Sequence, residues 1–498
     1  MSLVLPLPPE LVNFLSLPPP ETLVVSGPAG SGKTTLALAL LGSFRGNKLY
    51  VSSRVEAKKL NRNYPWLGVA ESKDVTVVDA TDWGTSLRDS ARLLEYFRSS
   101  NKPGGGVDES MRAMMPAPFR EATELARRGT PSMLVVDSWT AVVDRFLDAP
   151  RTASAPAPAR EEVERLVLTR LSTGPFHVVL VLERNDPSAL DYIVDGVVRL
   201  EKRLVDERGE RWLHLEKLRG IRLNQALYPF TLEGARFQCI TPVGREAPNR
   251  LRPPEPEPVP PVEGLWPGNA EFAEQFGNLP TGLVCLIERD PDVPDGSINL
   301  VLGPIIAQVL GSGGRVFHVL GPRTQPKSIW ESCKPLMTHE KFVEQVRILT
   351  PAAVLAEPDP DLKGVVLPLP RKTETPVEAR VPEAVRFLRE GAQANLPGLI
   401  VVWASGLATL GALTGAPYRP ETLPLLMLDY ASGANTYGVF IGQVDTPLVD
   451  SLRAVSPLRL HFRARAGRVF VYGKHPVTPS FVLIEGTEDA PYRLLRVV

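Results

Sequence analysis

Residues 23–35 read Leu-Val-Val-Ser-Gly-Pro-Ala-Gly-Ser-Gly-Lys-Thr-Thr: a short apolar strand, a glycine-rich turn and the start of a helix. The turn fits G-x-x-x-x-G-K-[ST], with Gly27, Gly32, Lys33 and Thr34 in the fixed places. Glycines let the backbone curl so that successive N–H groups point inward at phosphate oxygens, and the helix N-terminus adds its positive dipole end. The whole stretch Gly27, Pro28, Ala29, Gly30, Ser31, Gly32, Lys33, Thr34 and Thr35 is therefore expected to cradle phosphate. Lys33 would reach the β- and γ-phosphates, and the Thr34 hydroxyl would hold Mg²⁺.

Composition sets the frame around that loop. With 498 residues, 43% of them hydrophobic, the chain is long enough for two or three domains with sizeable cores. No run is long and apolar enough to span a membrane. The N-terminal stretch lacks the basic and apolar regions of a signal peptide, so a cytoplasmic location without membrane contact is expected. Cys239, Cys285 and Cys333 lie far apart and match no zinc spacing, which points to core thiols. Lys+Arg and Asp+Glu both number 56. Zero net charge gives no global field for nucleic acid, leaving that partner possible but not indicated.

In chain order, an amphipathic piece at 9–15 is expected to pack against the edge of a first sheet. Strands follow at 48–54 and 75–79, with a helix expected around 86–98 and a loop at 102–106. Met133-Leu134-Val135-Val136-Asp137 has four apolar residues ending in an acid, as a buried parallel strand would. In a nucleotide-binding sheet that acid positions Mg²⁺, so Asp137 is expected beside Thr34, with Asp79 the weaker competitor. A helix at 160–172 and a strand at 177–182 precede hairpins at 196–201 and 211–217. Alternating strands and helices predict a mostly parallel, doubly wound α/β sheet with its ligand beyond the strands' carboxyl ends.

The end of this half carries a family resemblance. Leu182-Glu183-Arg184, Asp195-Gly196-Val197-Val198, Glu216-Lys217-Leu218-Arg219-Gly220 and Tyr228-Pro229-Phe230-Thr231 resemble a RecA-superfamily domain of the KaiC type. Tyr50-Val51-Ser52-Ser53-Arg54-Val55 and Tyr64-Pro65-Trp66-Leu67 are similar to the archaeal branch that includes the gas-vesicle regulator GvpD. The resemblance implies ATP and Mg²⁺ as cofactors. It implies that Lys217 and Arg219 project across a subunit interface to a neighbour's γ-phosphate, and hence self-association or a protein partner that reads the nucleotide state. Independently of family, residues at i and i+2 of a strand face the same way, which suits a clamp on an anion. One departure bears on catalysis. KaiC-like hydrolases usually end the second strand with glutamate; here the place reads Ser52-Ser53-Arg54, with Glu56 the nearest carboxylate and so the candidate base. Slow ATP turnover is expected. A DNA-handling RecA-type motor and a non-hydrolysing ATP-sensing scaffold are the alternatives.

Six prolines within 253–261 read as an extended spacer. The expected organisation is a RecA/KaiC-like ATP-binding domain over 1–247, a Pro-rich linker over 248–264, and a second, degenerate RecA-like domain over 265–498. Each would be a mostly parallel sheet ending in β-hairpins. In the second, Leu283–Glu288 stands where the loop strand stood, but the following turn has no lysine and three aspartates, which would repel a triphosphate. Trp403 falls at the Asp137 position, 266 residues on, and Lys474 at that of Lys217, 257 residues on. Lys474 is thereby a candidate finger or a structural lysine.

Overall fold

The computed structural model describes residues 4–18, 21–68, 75–81, 132–148, 159–172, 176–184, 186–240, 263–350, 359–367, 396–414, 435–486 and 490–497, with 95, 120, 124, 253–255, 257, 386–388 and 390. The helix expected over 86–98 (apart from residue 95), the loop at 102–106 and most of the linker lie outside these residues. The chain divides into two compact units, Met1–Thr241 with Val497–Val498, and Pro242–Arg496.

In the first unit six strands form a parallel set in the order β4 (Val75–Asp79), β3 (Asn47–Ser52), β5 (Ser132–Asp137), β6 (Phe176–Leu182), β2 (Thr22–Ser26) and β7 (Gly196–Val205). An antiparallel run continues it through β8 (Arg208–Leu218), β9 (Leu227–Thr231), β10 (Gln238–Ile240) and β1 (Val4–Leu5). Every residue of β2 and β6 is buried. Such strands, covered on both faces, need continuous Val/Leu runs rather than alternation. Each fully buried Val or Leu contributes roughly 1.5–3 kcal/mol, so these runs hold the sheet.

Helices cover both faces. Leu36, Leu40 and Leu41 of α2 (Lys33–Ser43) are buried in one core with Val25, Val179 and Val181. Trp139, Val142 and Val143 of α4 (Trp139–Leu147) and Val163, Val167 and Leu168 of α5 (Arg160–Leu171) fill the other with Val24, Val178 and Leu180. Short α3 (Ala57–Asn63) follows β3, and α6 (Ala189–Ile193) precedes β7. The N-terminal piece forms α1 (Pro9–Leu15), which buries Leu11 and Phe14 in the core with Leu213 and Leu215 of β8 instead of lying along a sheet edge. Its buried Glu10 accepts a 2.7 Å hydrogen bond from the Tyr228 hydroxyl.

The second unit repeats the plan. Its nine strands run β13 (Val346–Leu349), β12 (Arg315–Val319), β14 (Gly398–Trp403), β15 (Thr436–Gln443), β11 (Val284–Arg289), β16 (Leu458–Arg465), β17 (Arg468–His475), β18 (Phe481–Glu485) and β19 (Tyr492–Arg496). Strand for strand this is the order of the first sheet from β4 to β10. The helices α7 (Ala270–Phe276), α8 (Asp295–Gly311), α9 (Pro326–Cys333), α10 (His339–Gln345), α11 (Ala404–Thr414) and α12 (Pro447–Arg453) complete it. Among the described residues no helix is long and apolar enough to cross a membrane. The three cysteines are buried free thiols.

Register aligns the two sheets residue by residue. Asp137 pairs with Val181, which pairs with Val25; Trp403 pairs with Ile441, which pairs with Ile287. Ser26 therefore answers to Glu288 and Gly27 to Arg289. Both β-hairpins carry a bulge at the same level, Val197 pairing Lys217 in the first and Arg459 pairing His475 in the second. The expected match of Lys474 to Lys217 is thus one residue off: His475 stands level with Lys217, and Lys474 with Glu216.

Candidate functional site

The loop after β2 is held in a shape that only glycine takes at three points. Gly27, Gly30 and Gly32 have φ of 153°, 70° and 100°. A Cβ on Gly27 would lie 2.5 Å from the Leu200 carbonyl oxygen, and one on Gly32 would lie 2.9 Å from the Leu232 side chain. These are positive-φ conformations that L side chains rarely adopt. Inside the cradle the Ser31 hydroxyl is buried without a hydrogen-bond partner among the described residues, and so is that of Ser26. Orphaned hydroxyls and a curled glycine backbone fit an anion with several acceptor oxygens.

Lys33 opens α2 and is buried, its ammonium donating to the carbonyls of Gly27 at 2.9 Å and Pro28 at 2.7 Å. Burial lowers its pKa, while the charges of Glu183 and Asp137 act to raise it and Arg54 to lower it. Beside it the Thr34 hydroxyl donates a 2.7 Å hydrogen bond to Asp137 Oδ2 across 103 residues of sequence. Asp137 ends β5 at the carboxyl edge of the parallel strands. The Tyr50 hydroxyl donates to the same carboxylate oxygen at 2.5 Å, and burial with the Asp137 charge drives that phenol's pKa well up. A hydroxyl and a carboxylate at this distance are the donor set an octahedral, oxygen-seeking Mg²⁺ accepts. The loop and this pair fit a nucleotide with its metal.

Two charged groups complete the edge. Arg54, just past β3, forms an ion pair with Glu183, just past β6. In the sequence Glu183 stands out only within the Leu182-Glu183-Arg184 motif; the adjacency of β3- and β6-end residues to the loop is what marks it. Asp79 instead caps its own turn, accepting from Thr81, and Glu56 is exposed at the start of α3. Among the described residues the Glu56 carboxylate makes no hydrogen bond or ion pair with the loop. From the β7–β8 hairpin Arg211 donates to the Gly30 carbonyl at 2.6 Å, a cation at the loop that no motif in the sequence marks.

Lys217 and Arg219 sit elsewhere. The Lys217 ammonium donates to the carbonyls of Asp191, Tyr192 and Val194, closing the end of α6. Burial, with Arg219 nearby, lowers its pKa. Arg219 lies one residue past β8 and pairs with Asp195 at 2.6 Å, its side chain 59% exposed. Asp195 in turn accepts from the backbone N–H and the hydroxyl of Thr22, at the amino end of β2. The loop leaves the carboxyl end of that strand. At about 3.3 Å per residue the two ends are roughly 13 Å apart, so the Arg219 guanidinium is turned away from the loop of its own unit.

The corresponding place in the second unit is filled by protein. Its turn has the same length, 289–294 against 27–32, but none of those residues has positive φ. Arg289 stands in the place of Gly27, Asp295 in that of Lys33 and Gly296 in that of Thr34. Arg289 pairs with Asp295 and lies 5.8 Å from the centre of the Trp403 ring. The neighbouring Glu288 is fully buried and accepts both Nε (3.1 Å) and Nη2 (2.7 Å) of Arg453, with Lys474 at 3.7 Å. Burial alone would raise this carboxyl; the Arg453 hydrogen bonds and the Lys474 charge hold it below the usual value.

Residues 11–217 match the family model described as GvpD gas vesicle protein, P-loop domain. Protein GvpD2 of Halobacterium salinarum is 26% identical over 502 residues, spanning 95% of this chain and 92% of that protein. Protein GvpD1 of the same organism is 31% identical over 241 residues, 47% of this chain and 41% of its own length. The circadian clock oscillator protein KaiC of a Picosynechococcus species is 29% identical over 233 residues, 44% of this chain and 40% of that protein. The two sheets are thus tandem RecA-like, P-loop-type domains.

Proposed function

We propose that this chain, whose first unit is a GvpD-type P-loop domain of the KaiC-like RecA superfamily, binds ATP with Mg²⁺, hydrolyses it slowly and signals its nucleotide state through contacts between RecA-like units. One observation carries the proposal: the 2.7 Å bond from Thr34 to Asp137 behind a loop with three positive-φ glycines. When bound, Mg²⁺ would supply positive charge to the phosphates. Thr34 and Asp137 would hold it, Tyr50 would keep the Asp137 carboxylate aimed, and Lys33 would turn its ammonium from the loop carbonyls to phosphate oxygen. The loop N–H groups and Ser31 would bind the remaining oxygens.

Slow turnover follows from where the carboxylates are. Asp137 is engaged by Thr34 and Tyr50, and Glu183 by Arg54. A general base must come within hydrogen-bond reach of its water. Glu183, whose charge acts on Lys33, is better placed for that than Glu56, but Arg54 competes for it. Arg219, at the far end of β2, suits a contact with the triphosphate of another unit, and Lys217 would support it by fixing the end of α6. Likeness to protein GvpD2 over both units makes a gas-vesicle regulator the biological setting we favour over a DNA-handling motor.

Calorimetry with Mg²⁺–ATP, and sedimentation with and without it, test the proposal on the full chain. The parent should take up one nucleotide per chain and gain mass. Arg219→Ala should bind as tightly yet assemble and hydrolyse less, and Glu183→Gln should lower turnover about a hundredfold or more, within the range for a lost general base. Absence of ATP uptake would overturn the reading. Unchanged assembly in Arg219→Ala would remove the contact between units from it.

A further inference from the structure

The second unit encloses a cavity of about 640 Å³ between α8, α9 and the sheet. That is within the range of small-molecule sites, roughly 300–1,000 Å³. Its floor is Val316 and His318 of β12, its wall the α8 face that carries Leu302, Gly303 and Ile306, and its roof Ile329 and Ser332 of α9.

The two sheets explain why there is space here. Register sets His318 level with Tyr50, since Val319 pairs Val402 as Val51 pairs Val136. Both following helices begin at the same distance from their strand, so Gly303 takes the place of the buried Leu41. A leucine has become a glycine, and a tyrosine the shorter histidine. A vacated apolar volume costs stability that scales with its size, and the cost is offset when a ligand fills it.

Two polar groups bracket the apolar part. The His318 ring is only 3% exposed, and its Nε2 is buried with no hydrogen-bond partner among the described residues. A buried imidazole nitrogen without a partner is costly. Burial holds this ring neutral, with its pKa down to about 4, so it presents one donor and one acceptor. At the mouth Arg323 is exposed, and its guanidinium makes no ion pair among the described residues. Glu331, the acid on the same rim, is already engaged by Lys334 at 2.5 Å.

We infer that this cavity is a binding site for a small amphipathic organic anion: an apolar body between α8 and β12, a polar group against His318, and an acidic head on Arg323. The second unit would then sense a metabolite at a place distinct from the lost nucleotide loop. The inference does not depend on ATP binding by the first unit.

The test uses the full chain and a matched pair of fluorescent probes: anilinonaphthalene sulfonate, and phenylnaphthylamine, the same body without the acid. The parent should bind one sulfonate per chain, at least tenfold more tightly than the neutral probe. Arg323→Gln, on an exposed side chain, should weaken the sulfonate about tenfold and leave the neutral probe unchanged, with the unfolding midpoint as folding control. Ile306→Trp, which fills the space, should abolish both while ATP uptake stays at the parent level. Absence of saturable binding overturns the inference. So does sulfonate binding that survives Arg323→Gln at full strength, or binding indifferent to Ile306→Trp.

Discussion

The turns after β2 and after β11 have equal length on equivalent strands, yet only one makes a phosphate cradle. In the first, glycines at 27, 30 and 32 place the backbone in conformations other residues rarely adopt, and the space they leave is lined by N–H groups and orphaned hydroxyls. In the second, Arg289 takes the place of the first glycine and fills that space itself, paired with Asp295 and lying beside Trp403. An internal ion pair now does for the fold what a bound anion and cation would do in the other unit.

This contrast is sharpest at Glu288. The carboxylate is fully buried and balanced by Arg453 and Lys474. Removing one partner of a buried pair costs about 3–5 kcal/mol. Because Arg453 is partly exposed and Lys474 still faces the carboxylate, Arg453→Met should lower the stability of the second unit by the lower end of that range in urea unfolding, and Arg453→Met with Glu288→Leu should recover most of it. Failure of the double variant to recover would show that Arg453 does not balance Glu288 in the fold.

Next in size is nucleotide uptake. Lys33→Ala should weaken Mg²⁺–ATP binding by about a hundredfold or more, roughly 2.7 kcal/mol, as read by calorimetry. Asp295→Ala, at the equivalent place, should leave it unchanged. Equal effects would erase the distinction between the two loops.

A third difference lies at the paired positions Tyr50 and His318. His318 is held at a pKa of about 4 against an ordinary 6.5. The unfolded chain binds a proton that the folded one refuses, so stability is complete above pH 6.5 and is lost as pH falls toward about 4. The loss amounts to about 3 kcal/mol. Thermal unfolding of His318→Phe should lack this part of the acid slope. Below that range Glu288 adds a further loss, because its depressed pKa means that acid must neutralise a stabilising carboxylate.

Smallest is Tyr50→Phe. It removes one charge-assisted hydrogen bond to Asp137 while Thr34 keeps the other. About 1.5–3 kcal/mol is the usual worth of such a bond, with the lower end expected because an apolar ring still fills the site. Unfolding of the first unit by denaturant reads it directly.

Much of the architecture could be inferred from the residues alone. Runs such as 133–136 and 178–182 are too continuously apolar to be anything but strands buried on both faces, and positive-φ demands make Gly27 and Gly32 visible as glycines. Local chemistry of this kind depends on near neighbours in the chain, which is why the loop, the two sheets and the missing lysine of the second turn were legible. Contacts between strand ends were not. Glu183 and Arg54 meet because β6 and β3 end on the same edge, and Arg211 meets Gly30 because β8 folds back across the loop. A one-residue bulge moved His475, not Lys474, level with Lys217. The cavity beside His318 exists only as the difference between side-chain volumes on two elements. Sequence specifies which groups a chain carries and the period at which they repeat; which of them lie within 3 Å of each other is decided by register and packing, and those are sums over the whole sheet.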